Sequence, residues 1–232
     1  MAYVWHQHKL IYFAAPATGS SAFIDFLRSR GFGENLPAKN IDKGGKRLVS
    51  KKHSTLERLR EHGLWEDEFD GYVKAVGLRN PFSWHVATYN RLRTKRAARA
   101  EKRSDPWPLA PKKTREKRLG NIERAKSQTF EDYLRDLLEG KRPRELQKNY
   151  HVEIDFYIHQ ERLADDAATL FERIGAPQTD RVGEVNVTGK SVDLEGYKAF
   201  YTPELIELVY AKNKPFFDKF PEYSFEGLAR DN

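Results

Sequence analysis

The stretch Lys9-Leu-Ile-Tyr-Phe-Ala-Ala-Pro-Ala-Thr-Gly-Ser-Ser-Ala-Phe23 predicts a strand, a tight turn and a helix in direct succession. The apolar run from Leu10 to Ala15 is typical of a buried strand, and Pro16 ends it. Gly19 permits a sharp turn, and the helix begins at Ser20. This junction gathers backbone N–H groups at the positive end of a helix dipole, so it favours a phosphate or sulfate. A plain turn with a serine N-cap is the alternative.

The composition limits the class of protein. An aromatic content of 12% supports a real core, while a charged content of 32% and a mean hydropathy of -0.78 indicate a solvated surface. The absence of cysteine excludes disulfides, thiolate catalysis and Cys-ligated zinc. No run approaches the ~20 apolar residues of a membrane span, and the N-terminus lacks the pattern of a signal peptide. We therefore expect a cytoplasmic protein without a membrane span.

The charge is positive and unevenly distributed. The net charge is +7 and the isoelectric point is near 9.4, which favours anionic partners. The excess lies between Arg91 and Lys126. We interpret residues 94–127 as a basic insertion that consists of a helix extension, a proline-rich loop and a second basic helix. It is either a solvated loop or a docking surface for an anionic substrate.

The remaining chain alternates strands with helices, which predicts an α/β fold with a mostly parallel sheet in a single domain, 1–232. A second buried strand, Gly71–Leu78, is followed by Arg79 and then by a helix that Pro81 begins. Further predicted elements are a polar loop at 34–45, a strand at 47–50, a helix from Leu56, a helix from Phe130, a strand at 155–158, a helix at 161–174 and a C-terminal helix from Pro203 to Phe220.

Four segments, in this order, resemble the sulfotransferases that use 3'-phosphoadenosine 5'-phosphosulfate (PAPS), in particular the carbohydrate-type group. The first is similar to the family's 5'-phosphosulfate loop and the second to its 3'-phosphate segment. The third resembles the segment in which a Glu and a Leu open a helix, and the last resembles the closing helix and tail. In the same order, the first three segments are 16–21, 76–89 and 155–163, and the fourth consists of 185–188, 197–205 and 223–225.

The resemblance implies a three-layer parallel sheet flanked by helices, the P-loop-like sulfotransferase fold. It also implies a cosubstrate, PAPS, which leaves as adenosine 3',5'-bisphosphate (PAP). Arg79 would bind the 3'-phosphate, Lys190 would add a second cation, and Thr88 stands beside the expected serine contact. The 5'-phosphosulfate would lie in a loop whose N–H groups and hydroxyls face it, formed by Ala17, Thr18, Gly19, Ser20, Ser21 and Ala22.

Two positions depart from the family pattern. Ala17 stands where the loop lysine is usual, and Ala87 stands where the serine that contacts the 3'-phosphate is usual. Loss of a preorganised charge can cost several kcal/mol of transition-state stabilisation. Either Lys51, Lys52 or another cation substitutes, or turnover is slow, or the protein is a relative that only binds the nucleotide.

Sulfuryl transfer needs a base for the acceptor hydroxyl, and His53 in Lys51-Lys-His-Ser54 is our choice, with Lys52 beside it. A histidine near a helix N-terminus without a catalytic duty is the alternative. We expect no metal. The acceptor is a hydroxyl, with an anionic glycan as the class suggested by charge. A nucleotide-binding relative without activity is the main alternative function, and a nucleic-acid-binding protein or nucleotide kinase is a weaker one.

Overall fold

The computed structural model describes residues 2–44, 46–51, 53–96, 112–140, 150–177 and 196–229. The chain divides into two compact units, one of Met1–Arg79 with Gln147–Val187 and one of Asn80–Leu146 with Thr188–Asn232. Two predicted site residues, Lys52 and Lys190, lie outside the described residues, as do 97–111 of the basic insertion and 185–188 of the closing segment. The single domain stays a prediction.

The first unit is built on a five-stranded mixed sheet with the order β3-β1-β2-β6-β7. The neighbouring strands β2, β6 and β7 are parallel, and β1 runs antiparallel to both β2 and β3. A hairpin of β4 and β5 accompanies it. The bounds are β1 Ala2–Trp5, β2 Leu10–Phe13, β3 Glu34–Leu36, β4 Ile41–Lys43, β5 Lys46–Val49, β6 Val73–Leu78 and β7 Phe156–His159.

The α/β class with a mostly parallel central sheet is confirmed, but two details of the predicted architecture are wrong. The sequence analysis placed no strand before Leu10, whereas β1 lies there and is antiparallel to its neighbours. It also assigned 34–45 to a polar loop, whereas β3 and β4 lie there. Both strands are three residues long and polar or half-exposed, so they carry little hydrophobic pattern of their own.

Both faces of the sheet in the first unit are covered, because alternate residues of each strand point to opposite sides. Leu10, Tyr12 and Ala14 of β2 and its extension pack on one side, with α1 (Ser20–Ser29) and α6 (Leu163–Arg173). Ile11, Phe13 and Ala15 pack on the other, with α2 (Leu56–Glu61). A strand that is buried on both faces reads as a continuous apolar run, which is why β2 was predicted.

Helices form most of the second unit, around a core of its own that includes Phe82, Tyr133 and Leu205. The predicted second basic helix is confirmed as α4, and Thr129 caps α5 as expected. The bounds are α3 Pro81–Arg91, a π-helical turn Leu92–Arg96, α4 Lys112–Ser127, α5 Phe130–Leu138, α7 Pro203–Lys212, α8 Lys214–Lys219, β8 Tyr223–Ser224 and β9 Gly227–Leu228.

The C-terminal helix differs from the prediction of one helix to Phe220. It breaks at Asn213, between α7 and α8. Pro215 follows the break and explains it, because a proline has no N–H to donate to the preceding turn and its ring clashes there. In the described part of the chain no helix has the length and apolar character that a membrane crossing requires. The expected cytoplasmic location stays a prediction.

Candidate anion-binding site

The candidate site lies in the first unit, where three neighbouring parallel strands end. The carboxyl ends of β2, β6 and β7 are Phe13, Leu78 and His159, and each is followed by residues of the site. The anion loop, residues 14–19, follows β2; Arg79 follows β6; Gln160 follows β7. Ligands of α/β proteins gather at this edge of the sheet, which gives the location functional weight.

The backbone of the anion loop alternates in the sign of φ, as the backbone of an anion-binding nest does. Ala17 and Gly19 have φ values of 65° and 73°, and Thr18 between them is not among the residues with positive φ. Such alternation turns successive N–H groups toward one side of the chain. Helix α1 begins at Ser20 without a side-chain cap, so the first N–H groups of α1 add to the same positive region.

The hydroxyls of Thr18 and Ser20 face inward. Thr18 Oγ1 and Ser20 Oγ lie 2.9 and 2.7 Å from the carbonyl oxygen of Ala15, and 2.6 Å from each other. Two hydroxyl protons are shared in this triangle of oxygens, so neither hydroxyl has a proton left to donate to a ligand. Contrary to the expectation that these hydroxyls face an anion, only the backbone N–H groups of the loop can do so here. Ser21 is exposed, whereas Ala22 is buried.

Arg79 contacts the anion loop. Its Nη1 donates to the carbonyl oxygen of Ala17 at 3.3 Å, and the residue is half-buried. Ala17 is the position where the resemblance leads us to expect a lysine. The structure therefore brings a guanidinium to Ala17.

His53 also contacts the anion loop, at its first residue. His53 Nδ1 lies 3.1 Å from the carbonyl oxygen of Ala14, and the His53 backbone N–H donates to Ser50 Oγ at 3.2 Å. Two site residues predicted far apart in sequence, Arg79 and His53, thus meet the same short loop. This agreement concerns position only, and their roles stay predictions.

A buried phenol lies beneath the loop. Tyr12 is fully buried, and within the described part of the chain its oxygen has no partner in hydrogen-bonding geometry. A Cβ atom on Gly77 would lie 2.7 Å from Tyr12 Oη and 2.7 Å from Thr18 Oγ1. Burial raises the pKa of the phenol. Tyr12 therefore stays protonated, and Gly77 leaves the space in which the phenol and the loop meet.

The third strand end carries residues that the sequence analysis did not assign to the site. The side chain of Gln160 lies against Gly19, and its Oε1 is buried without a partner among the described residues. Asp166 Oδ2 accepts from the backbone N–H of His159 at 2.6 Å and lies 2.7 Å from its Nδ1. Asp166 also pairs with Arg162 at 2.9 Å. From the sequence, only the position of His159 at the end of a predicted strand could have indicated that these residues lie at the site.

In the second unit, two polar side chains of α3 are buried without partners. Both ring nitrogens of His85 lack a hydrogen bond in the described structure, and burial lowers the pKa of His85 to about 3. Thr88, predicted to contact the nucleotide, has a buried hydroxyl without a partner there. His85 and Thr88 are three residues apart and so lie on the same side of α3.

Comparison with known proteins gives no relative. The chain matches no model of a protein family, no curated protein and no solved structure. Within the ranges that the structure describes, no group of three or more His, Asp or Glu side chains could hold a metal ion. The site therefore rests on its own geometry: a nest of N–H groups with Arg79 and His53 bound to its backbone.

Proposed function

We propose that this protein is a PAPS-dependent sulfotransferase that modifies a hydroxyl group. The observation that carries the proposal is the anion loop, whose N–H groups, adjoining guanidinium and adjoining imidazole meet at the end of a parallel sheet. A sulfuryl transfer needs an anion site, a cation and a base together. A phosphate- or sulfate-binding turn without a reaction would not need the imidazole.

The N–H groups of residues 18–21 would hold the terminal anionic group of the cosubstrate, since the hydroxyls of Thr18 and Ser20 are bonded to Ala15. When bound, PAPS supplies the sulfuryl group: a bond from the acceptor oxygen to sulfur forms as the sulfur–oxygen bond to the 5'-phosphate breaks, and the electron pair leaves with PAP. His53 Nε2 would take the acceptor's proton, because Nδ1 donates to Ala14.

The acceptor class in this proposal is a hydroxyl of an anionic glycan. The supporting observation is the composition of α4, Lys112–Ser127, which has seven Lys or Arg residues and two Glu residues. Its C-terminal half contributes two buried apolar side chains to the core, Ile122 and Ala125. A helix with this composition favours a polyanion over a neutral partner.

The direct test is PAP release from PAPS, followed in the presence of simple alcohols, phenols and sulfated or carboxylated glycans. We expect release that depends on the acceptor and that is fastest with a polyanionic glycan. Binding of PAP without acceptor-dependent release from any of these classes would favour the second function, a relative that binds PAPS or PAP without turnover. The observation behind that second function is Ala17 in place of a lysine. No binding of PAP would contradict both.

A further inference from the structure

We propose that Arg79 replaces the missing loop lysine and binds the 5'-phosphosulfate end of the cosubstrate, an inference that rests on the proposed function. The sequence analysis assigned Arg79 to the 3'-phosphate. The geometry points elsewhere, because Arg79 Nη1 lies 3.3 Å from the carbonyl oxygen of Ala17. Ala17 lies inside the anion loop, two residues before Gly19, the N-cap of α1.

A cation is needed at this point because the loop itself offers only neutral donors. The Thr18 and Ser20 hydroxyls are taken up by the carbonyl oxygen of Ala15 and by each other. Backbone N–H groups carry partial charge only. A guanidinium has five N–H donors in a fixed fork, and the fork matches two oxygens of a phosphate or sulfate.

The buried phenol of Tyr12 is a second, independent indication of a ligand in the loop. Tyr12 is fully buried and its oxygen has no hydrogen-bond partner in the described residues. Its oxygen ends beside Thr18, in the space that Gly77 leaves. Buried hydroxyls are rarely left without a partner. An oxygen of an anion that reached this space would give the phenol proton an acceptor.

The use of Arg79 in the role of a loop lysine has a chemical consequence. Lysine is a point charge, whereas a guanidinium donates two parallel hydrogen bonds in one plane. Arg79 would therefore donate to two oxygens of the tetrahedral group at the 5' end. Because Arg79 follows directly on β6, the strand fixes the origin of the side chain. Arg79 would thus both bind the nucleotide and compensate the charge that the 5'-phosphate gains as sulfur leaves.

Two nucleotides that each carry only one of the anionic groups distinguish binding of Arg79 to the 5' group from binding to the 3'-phosphate. Adenosine 5'-phosphosulfate carries the 5' group without the 3'-phosphate, and adenosine 3'-phosphate carries the reverse. Calorimetric titration of wild type, Arg79→Gln and Arg79→Lys measures the affinity for both, with PAP as the reference. Arg28→Gln is the matched control, because Arg28 is an exposed arginine of the same unit that pairs with Asp25.

We expect Arg79→Gln to weaken the affinity for adenosine 5'-phosphosulfate by roughly 10- to 100-fold, which is the effect of losing one hydrogen bond from a charged donor. Affinity for adenosine 3'-phosphate should stay within about threefold. Arg79→Lys should recover part of the loss, and Arg28→Gln should change neither. A loss confined to adenosine 3'-phosphate would overturn the inference and leave the proposed function intact. If wild type does not bind PAP, the proposed function fails first and the inference fails with it.

Discussion

His53 Nδ1 lies 3.1 Å from the carbonyl oxygen of Ala14, the residue that links β2 to the rest of the anion loop. A carbonyl oxygen can only accept, so the bond selects the tautomer with the proton on Nδ1. The lone pair is then on Nε2, and the ring is held by the loop that would hold the anion. A base that is fixed by its second nitrogen is typical of catalytic histidines.

The first prediction concerns His53. His53→Gln should lower kcat by about 100-fold or more, the range of a lost general base, with little change in PAP affinity. Both parameters are obtained from acceptor saturation curves and a PAP titration. The control is His8→Gln, because His8 Nδ1 also lies near a backbone carbonyl oxygen, that of Ile174 at 3.3 Å. Equal loss of activity in both variants would mean that His53 has a structural role only.

The second prediction concerns Gly77, which leaves room for the loop. In Gly77→Ala, the new Cβ would lie 2.7 Å from the oxygens of Thr18 and Tyr12, closer than Cβ contacts in real proteins. We expect a loss of about 1–3 kcal/mol in the free energy of unfolding, as overpacking gives, together with weaker PAP binding. Urea denaturation measures the first quantity. Gly71→Ala is the control, since nothing lies within 4 Å of its Cβ position.

Asp166 provides the third prediction. It is 8% exposed, accepts a hydrogen bond from the backbone N–H of His159 and forms an ion pair with Arg162. Asp166→Asn should lower the free energy of unfolding by about 1–3 kcal/mol, because a buried charged partner is lost. The exposed neighbour Asp165 is the control, and Asp165→Asn should change it by less than about 0.5 kcal/mol. Equal stability of the two variants would contradict the buried arrangement.

The fourth prediction is a pH dependence that comes from His85. Burial lowers its pKa from 6.5 to about 3, so the unfolded chain binds a proton below pH 6.5 that the folded chain does not bind. The stability that comes from this group is complete above pH 6.5 and is lost as the pH falls toward 3, about 2 kcal/mol of it by pH 5.

His85→Leu isolates this contribution from that of the carboxylates. The variant should be as stable as wild type at pH 7, since both ring nitrogens of His85 lack partners, and it should lose about 2 kcal/mol less between pH 7 and pH 5. Denaturant titrations at the two pH values give the difference. Parallel loss of stability in both proteins would show that His85 does not control this range.

The sequence predicted the elements that carry a strong local pattern. The apolar run that begins at Leu10 and the capped helix at Thr129 are local features, and both were found. Strand β1 was missed because its four apolar residues are followed by two histidines and by no turn signal that would mark the end of a strand. The polar strand β3 forms because β1 offers it a partner, and such pairing cannot be read from the strand alone.

For the candidate site, the sequence indicated the positions of some residues but not their side-chain contacts. The position of Arg79 after a buried strand indicated an edge of the sheet, and both Arg79 and His53 contact the anion loop. The inward rotation of the Thr18 and Ser20 hydroxyls and the His159–Asp166 pair depend on side-chain rotamers and on neighbours distant in sequence. Spacing in a sequence carries no information on either.

Calorimetric titration of the wild-type protein with PAP at low salt, beside Arg79→Ala, tests whether the nucleotide binds at the anion loop. The account predicts one PAP per chain, bound in the micromolar range, and loss of the binding in Arg79→Ala, because Arg79 contacts the anion loop. Absence of binding in wild type would contradict the account. So would binding of equal strength in both proteins, because the nucleotide would then lie elsewhere on the chain.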